Sequence, residues 1–96
     1  MSKEYSVYIL ASRTKVLYTG DSGNLMERVW QHKNKVTKGF TARYNVSKLV
    51  YYSQTNDINE ALEFEKRIKG WIRIKKIDLI ESMNPNWDDL AEGWYD

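Results

Sequence analysis

Two runs of alternating apolar residues, Tyr5–Ala11 and residues 16–20, stand only four polar residues apart, and this limits the fold more than any other feature of the chain. β-Branched and aromatic residues alternating with period two read as half-buried strands. The short connection Ser12-Arg13-Thr14-Lys15 suits an antiparallel hairpin. Facing residues in such a pair share a side of the sheet, so Tyr8 and Tyr18 meet only if the loop has an odd length. The residues alone leave that parity open.

The second strand ends at Gly20, the polar turn Asp21-Ser22-Gly23 follows, and a helical pattern opens with Asn24 as its N-cap. Leu25, Val29, Met26 and Trp30 supply the buried stripe of this helix. Arg28 and His32, four residues apart, project together from the edge of that stripe. Residues 37–45 read as an irregular or single-turn segment anchored by Phe40 and Tyr44. Lys35, Lys38 and Arg43 give this region a composition suited to a phosphate backbone; a plain solvated loop is the alternative.

Residues 46–54 form a third strand, and Leu49-Val50-Tyr51-Tyr52 make both of its faces apolar, which places it in the middle of the sheet. Thr55-Asn56-Asp57 then caps a long helix over residues 58–72. A second helical stretch, with Ile74, Ile77, Ile80 and Met83 as its seam, ends at Asn84-Pro85. Trp87, Leu90 and Trp94 are expected to fold back as a hydrophobic clasp. The pattern is α+β, a small sheet flanked by helices.

With 96 residues, 42% of them hydrophobic and 29% charged, the chain makes one globular domain, residues 1–96. There is no cysteine, which excludes disulfides and thiolate metal sites. No apolar run approaches the roughly 18 residues of a membrane span, and no signal-peptide pattern opens the chain. No membrane partner is expected, and the cytoplasm is the expected location. The four charges after Trp87 are all acidic, so residues 1–87 hold all 15 basic groups against nine acids, a balance of +6. A basic body with an acidic tail over residues 88–96 favours a polyanionic partner.

The helix from Ile58 carries one anomaly. At about 100° per residue, Ile58, Ala61, Leu62, Ile68 and Ile72 define an apolar face, and Glu65 falls near its middle. A carboxylate there is costly to bury without a cation. Lys69, one turn later, offers an ordinary ion pair. The functional alternative is a metal ligand, because one carboxylate with waters and a substrate phosphate suffices to hold Mg²⁺. His32, Arg28 and the strand tyrosines, each taken alone, have commonplace structural explanations. Their spacing raises them together.

That combination resembles the GIY-YIG nuclease family over most of the chain. Ser6-Val7-Tyr8 stands as the first half-motif and Tyr18-Thr19-Gly20 as the second. Arg28 and His32 follow on the next helix, and Glu65 takes the place of the family's metal-binding glutamate. Lys38-Gly39-Phe40-Thr41, Leu49-Val50-Tyr51, residues 65–71 and residues 81–85 look like the small single-domain bacterial branch. Ser6 replaces the glycine of the family name and Thr19 its isoleucine, and neither change removes a reactive group.

The resemblance implies a three-stranded antiparallel sheet flanked by helices in the order ββαβαα, with Tyr8 beside Tyr18 and hence an odd-length hairpin loop. It implies a metal-dependent endonuclease hydrolysing DNA phosphodiester bonds, of use in repair or recombination, with Tyr8, Tyr18, Arg28, His32 and Glu65 as catalytic residues. Glu65 would hold Mg²⁺ or Mn²⁺. Lys35, Lys38, Arg43, Lys66, Arg73, Lys75 and Lys76 are candidate contacts to the DNA backbone. With no targeting domain recognisable, substrate affinity is expected to be low or supplied by a partner protein. The competing reading is a nucleic-acid-binding module on the same scaffold that does not cut.

Overall fold

The computed structural model describes residues 3–96. Strands β1 (Tyr5–Ala11), β2 (Leu17–Ser22) and β3 (Lys48–Thr55) form one antiparallel sheet in the order β2-β1-β3. Helix α1 (Leu25–Lys33) and a single turn α2 (Phe40–Arg43) lie between β2 and β3. Helices α3 (Ile58–Lys69) and α4 (Arg73–Met83) follow. Apart from the added turn α2, this is the expected ββαβαα order.

The hairpin has the odd-length loop. Ser12 N–H donates to the Val16 carbonyl at 3.0 Å, and Lys15 adopts φ 66°, so residues 13–15 make the turn. A left-handed residue closing a three-residue loop is a common hairpin solution. Leu10 then faces Tyr18 and Tyr8 faces Gly20, which puts both tyrosines on one side of the sheet.

Alternation divides the core into two layers. Val7, Ile9 and Ala11 pack with Ala61, Ile68, Ile80 and Trp87, beneath α3 and α4. Tyr8 and Leu10 pack on the opposite side with Leu25, Val29, Val46, Leu49 and Ala91. Among the described residues, no helix is long and apolar enough to cross a membrane.

β3 is an edge strand, against the expectation that it lies mid-sheet. Two features explain its doubly apolar sequence. A register irregularity between Ile9 and Leu10 pairs them with Tyr51 and Leu49, so Val50 is the extra residue and joins Tyr51 in the α3/α4 layer. The free edge is covered by the chain's last segment. Leu90 N–H donates to the Leu49 carbonyl at 2.7 Å, Asn84 Nδ2 donates to the Val50 carbonyl at 3.0 Å, and the Asp89 carboxylate accepts from Leu49 N–H at 3.2 Å. Covering an edge in this way removes a template for aggregation. Residues 88–96 are therefore a fitted strap. Trp87 is buried on one side of the sheet, Ala91 is buried on the other, and Trp94 packs beside Ala91. Leu90, expected in the clasp, is only partly covered, at 36% exposed.

Several helix faces differ from those read on the sequence. In α1 the inward stripe is Leu25, Val29 and His32, and Met26 and Trp30 are exposed. A four-then-three spacing makes a narrow stripe, and His32 continues it instead of flanking it. In α3 the face centres on Ala61, Phe64 and Ile68, leaving Ile58, Leu62 and Ile72 exposed. Phe64 is edge-on to Trp71 with ring centroids 6.5 Å apart, and Glu65 stays largely buried on the same face, its side chain 15% exposed. In α4, Ile77, Leu79 and Ile80 face inward, while Ile74 and Met83 are exposed.

Candidate active site

Tyr8 is the fixed point of the site. It sits mid-sheet on the central strand and is 1% exposed. Its partner across the ladder is Gly20. A Cβ built on Gly20 would stand 2.6 Å from the Tyr8 hydroxyl oxygen and 3.0 Å from Cε2 of Tyr18. The glycine is thus required by the two rings that lie over it, since its φ is ordinary.

His32 comes to the same place from α1. Its Nε2 lies 3.1 Å from the Tyr8 hydroxyl, and its Nδ1 lies 2.9 Å from Thr41 Oγ1 on α2. The Tyr8, Tyr18 and His32 rings form a triangle with centroid separations of 6.4, 6.0 and 5.5 Å. His32 is only 2% exposed. Burial first, and then the Arg28 guanidinium, hold its pKa below the usual 6.5. A neutral imidazole donates from one nitrogen and accepts at the other, so Tyr8–His32–Thr41 is a continuous buried hydrogen-bonded chain.

The Tyr8 phenol is held protonated well above its ordinary range. Burial is the main cause, followed by the adjacent Tyr18; Arg28 opposes them, and Asp21 and Glu65 add to the rise. Charges act on this phenol from three elements: β2 through Asp21, α1 through Arg28, and α3 through Glu65. Glu65 belongs to a helix on the opposite face of the sheet from α1. Tyr8, Tyr18 and His32 are brought together, with Arg28 one turn before His32 on α1, whereas Glu65 lies on α3 across the sheet. Thr41, which bonds His32, joins them.

Glu65 has a partner of its own. Its carboxylate is 3.2 Å from Lys69 Nζ, and the two side chains are 15% and 53% exposed. This is the ordinary ion pair, with the lysine half in water and free to leave. Among the described residues, no group of three or more His, Cys, Asp or Glu is placed to hold a metal ion. The donor set fits Mg²⁺ or Mn²⁺ only in the sparse manner, with one protein carboxylate and the remaining positions filled by water and phosphate oxygens.

The seven candidate DNA contacts do not form one patch. Lys35, Lys38 and Arg43 surround α2, next to Thr41. Arg73 and Lys76 line a groove of about 430 Å³ with Thr14, Lys15, Val16 and Leu17, where Arg73 Nη2 donates to the Lys15 carbonyl at 2.7 Å. Lys75 lies 4.5 Å over the Trp71 ring, and Lys66 is exposed on α3.

A family model described as the GIY-YIG catalytic domain matches residues 4–78. The chain belongs to the GIY-YIG family. It is 33% identical to a UPF0213 protein of Oceanobacillus iheyensis, over 84% of this chain and 94% of that one. It is 36% identical to a UPF0213 protein of Syntrophus aciditrophicus, over 88% and 97%. The NMR solution structure of a UPF0213 protein from Bacillus halodurans has the same fold, with a TM-score of 0.60 at 22% identity, over 94% of this chain and 96% of that one. Within the GIY-YIG fold the two departures from the family name are explained locally. Ser6 and Thr19 are both buried in the sheet, Ser6 facing Ser22 and Gln54, and Thr19 facing Ile9.

Proposed function

We propose that this GIY-YIG protein is a metal-dependent endonuclease that hydrolyses phosphodiester bonds in DNA. The observation that carries the reading is the Tyr8–His32–Thr41 chain, with Tyr18 beside it and Arg28 on the same helix as His32, in a chain of this family. Arg28 presents fixed positive charge to the phosphate as negative charge builds on it, the kind of preorganised electrostatics that contributes most to such reactions. In the tautomer that carries its proton on Nδ1, His32 donates to Thr41 and leaves Nε2 to accept the Tyr8 proton. As the water attacks phosphorus, Tyr8 takes its proton and passes its own to Nε2, so the phenol stays neutral throughout. This suits a phenol that resists ionisation and an imidazole held neutral. Tyr18 orients the water. Glu65 would hold Mg²⁺ or Mn²⁺, which supplies charge neutralisation at the phosphate and stabilises the leaving oxygen. The seven lysines and arginines would contact the DNA backbone without reading sequence.

The rival reading, a binding module that does not cut, is favoured by the Glu65–Lys69 pair. Incubating branched, single-stranded and duplex DNA with Mg²⁺, Mn²⁺ or chelator separates the two. Cleavage that requires the metal supports the enzyme, and salt-sensitive binding with no cleavage on any substrate supports the module.

A further inference from the structure

We propose that α2 is a stacking platform for an unpaired nucleobase, so that the site takes single-stranded nucleic acid in preference to closed duplex. This rests on the nuclease reading for the cutting step alone; the binding stands independently of it.

Phe40 and Tyr44 are 47% and 45% exposed, and they lie four residues apart on one turn with ring centroids 5.0 Å apart. They do not anchor the segment, as their spacing in the sequence suggests. Thr41 and Val46 do that, being buried, with Val46 N–H donating to the Thr41 carbonyl at 2.9 Å. Two large rings that the fold does not use for packing are thus held together in water, and such exposed apolar groups mark binding surfaces.

The rings border a groove of about 700 Å³ lined by Gly39, Phe40, Ala42, Arg43 and Tyr44. Gly39 has φ 108°, and a Cβ built on it would meet nothing within 4 Å, so the groove is open at that end. The Arg43 guanidinium sits 5.5 Å from the Tyr44 ring centre.

The charge of the segment that carries the groove favours a polyanionic occupant. No acidic residue occurs between Glu27 and Asp57, while Arg28, Lys33, Lys35, Lys38, Arg43 and Lys48 all fall in that interval. Of these, Lys33 is paired with Asp89. Aromatic faces bordered by unopposed cations bind bases by stacking and phosphates by charge, tolerant of sequence. Closed duplex offers the phosphates but keeps its bases stacked on one another. The same turn that presents the rings sends Thr41 inward to His32. The platform and the Tyr8–His32–Thr41 chain thus share one turn.

The test compares wild type with Phe40→Leu, Tyr44→Leu and the double variant, each checked for folding by urea unfolding. The probes are a short oligothymidylate carrying one fluorescent aminopurine base and a blunt duplex of equal length, both in chelator so that nothing is cut. The double variant should lose about tenfold or more in affinity for the single strand and less than about twofold for the duplex. The aminopurine quenching seen with wild type should disappear. Lys38→Ala should instead weaken both probes alike and flatten the salt dependence. The proposal is overturned if the leucine variants lower both affinities equally, or if neither falls, as when the rings serve a protein ligand. Cleavage assays keep the two readings apart. Metal-dependent cleavage with ring-independent binding leaves the nuclease standing without the platform, and ring-dependent binding with no cleavage leaves the platform without the nuclease.

Discussion

The Tyr8 hydroxyl oxygen and the empty side-chain position of Gly20 occupy the same space: a Cβ there would lie 2.6 Å away. Tyr8 cannot retreat, because it is buried on the central strand and packed with Leu10, Leu25, Val29 and Leu49. Gly20→Ala should therefore cost about 1–3 kcal/mol through overpacking and abolish cleavage, as the phenol is displaced from His32. Urea unfolding and a cleavage assay on the same preparation check both. An alanine variant as stable and active as wild type would show that the ring moves aside freely.

Tyr8→Phe keeps the ring and removes only the hydroxyl. The buried Nε2 of His32 then has no partner, at a cost of about 1–3 kcal/mol. If the phenol relays the proton, the cleavage rate should fall by about 10²- to 10⁴-fold, the range for losing acid–base assistance. Substrate affinity should stay nearly constant, because the phenol is buried and acts on the proton. A loss confined to affinity would assign Tyr8 to binding instead.

His32 is the one histidine in the chain, so its ring signals titrate without overlap. Its pKa is lowered in the folded state by burial and then by Arg28. The unfolded chain takes up this proton near 6.5, and the folded chain does so only at lower pH. Below about 6.5 the unfolded state therefore binds more protons and is favoured. Stability should be full above that pH and decline as pH drops toward the folded value. An NMR titration with a midpoint at or above 6.5 would contradict this.

Much of the fold was legible because its signals are local. The two alternating runs, the Asn24 cap and the Asn84-Pro85 stop each declare themselves within a few residues. What was missed depends on contacts between distant segments. The position of β3 could not be read, because its apolar faces come from the Val50 irregularity and from a strap whose residues follow it by about forty positions. The helical wheel gives Ile58, Leu62 and Ile72 the same weight as Phe64, whereas the ring packed against Trp71 lies inward and the three aliphatic residues are exposed. Thr41 and Asp21 carry no signal in their own neighbourhoods. Only the nine-residue return from His32 brings Thr41 to the site, and the strand register pairs Asp21 with Val7, on the other face of the sheet from Tyr8.

The strap itself is open to test at Asp89, whose carboxylate accepts from Leu49 N–H and Ala91 N–H and also pairs with Lys33. Asp89→Ala leaves the edge amide of β3 without its partner. We expect a loss of about 1–3 kcal/mol, with faster hydrogen exchange at Leu49 than in wild type. Unchanged exchange would mean that Leu90 alone secures the edge.

The most direct measurement is the cleavage rate of wild type against Glu65→Ala and Arg28→Ala across a Mg²⁺ and Mn²⁺ titration, with each variant shown to be folded. Arg28 is exposed, so its substitution should cost little stability, and the Glu65 side chain is 15% exposed and paired with Lys69, so the folding check matters most for Glu65→Ala. The expected result is metal-dependent cleavage by wild type that both substitutions abolish, while DNA binding in chelator survives Glu65→Ala. Cleavage by Glu65→Ala at the wild-type rate and metal dependence would contradict the assignment of this carboxylate as the metal ligand.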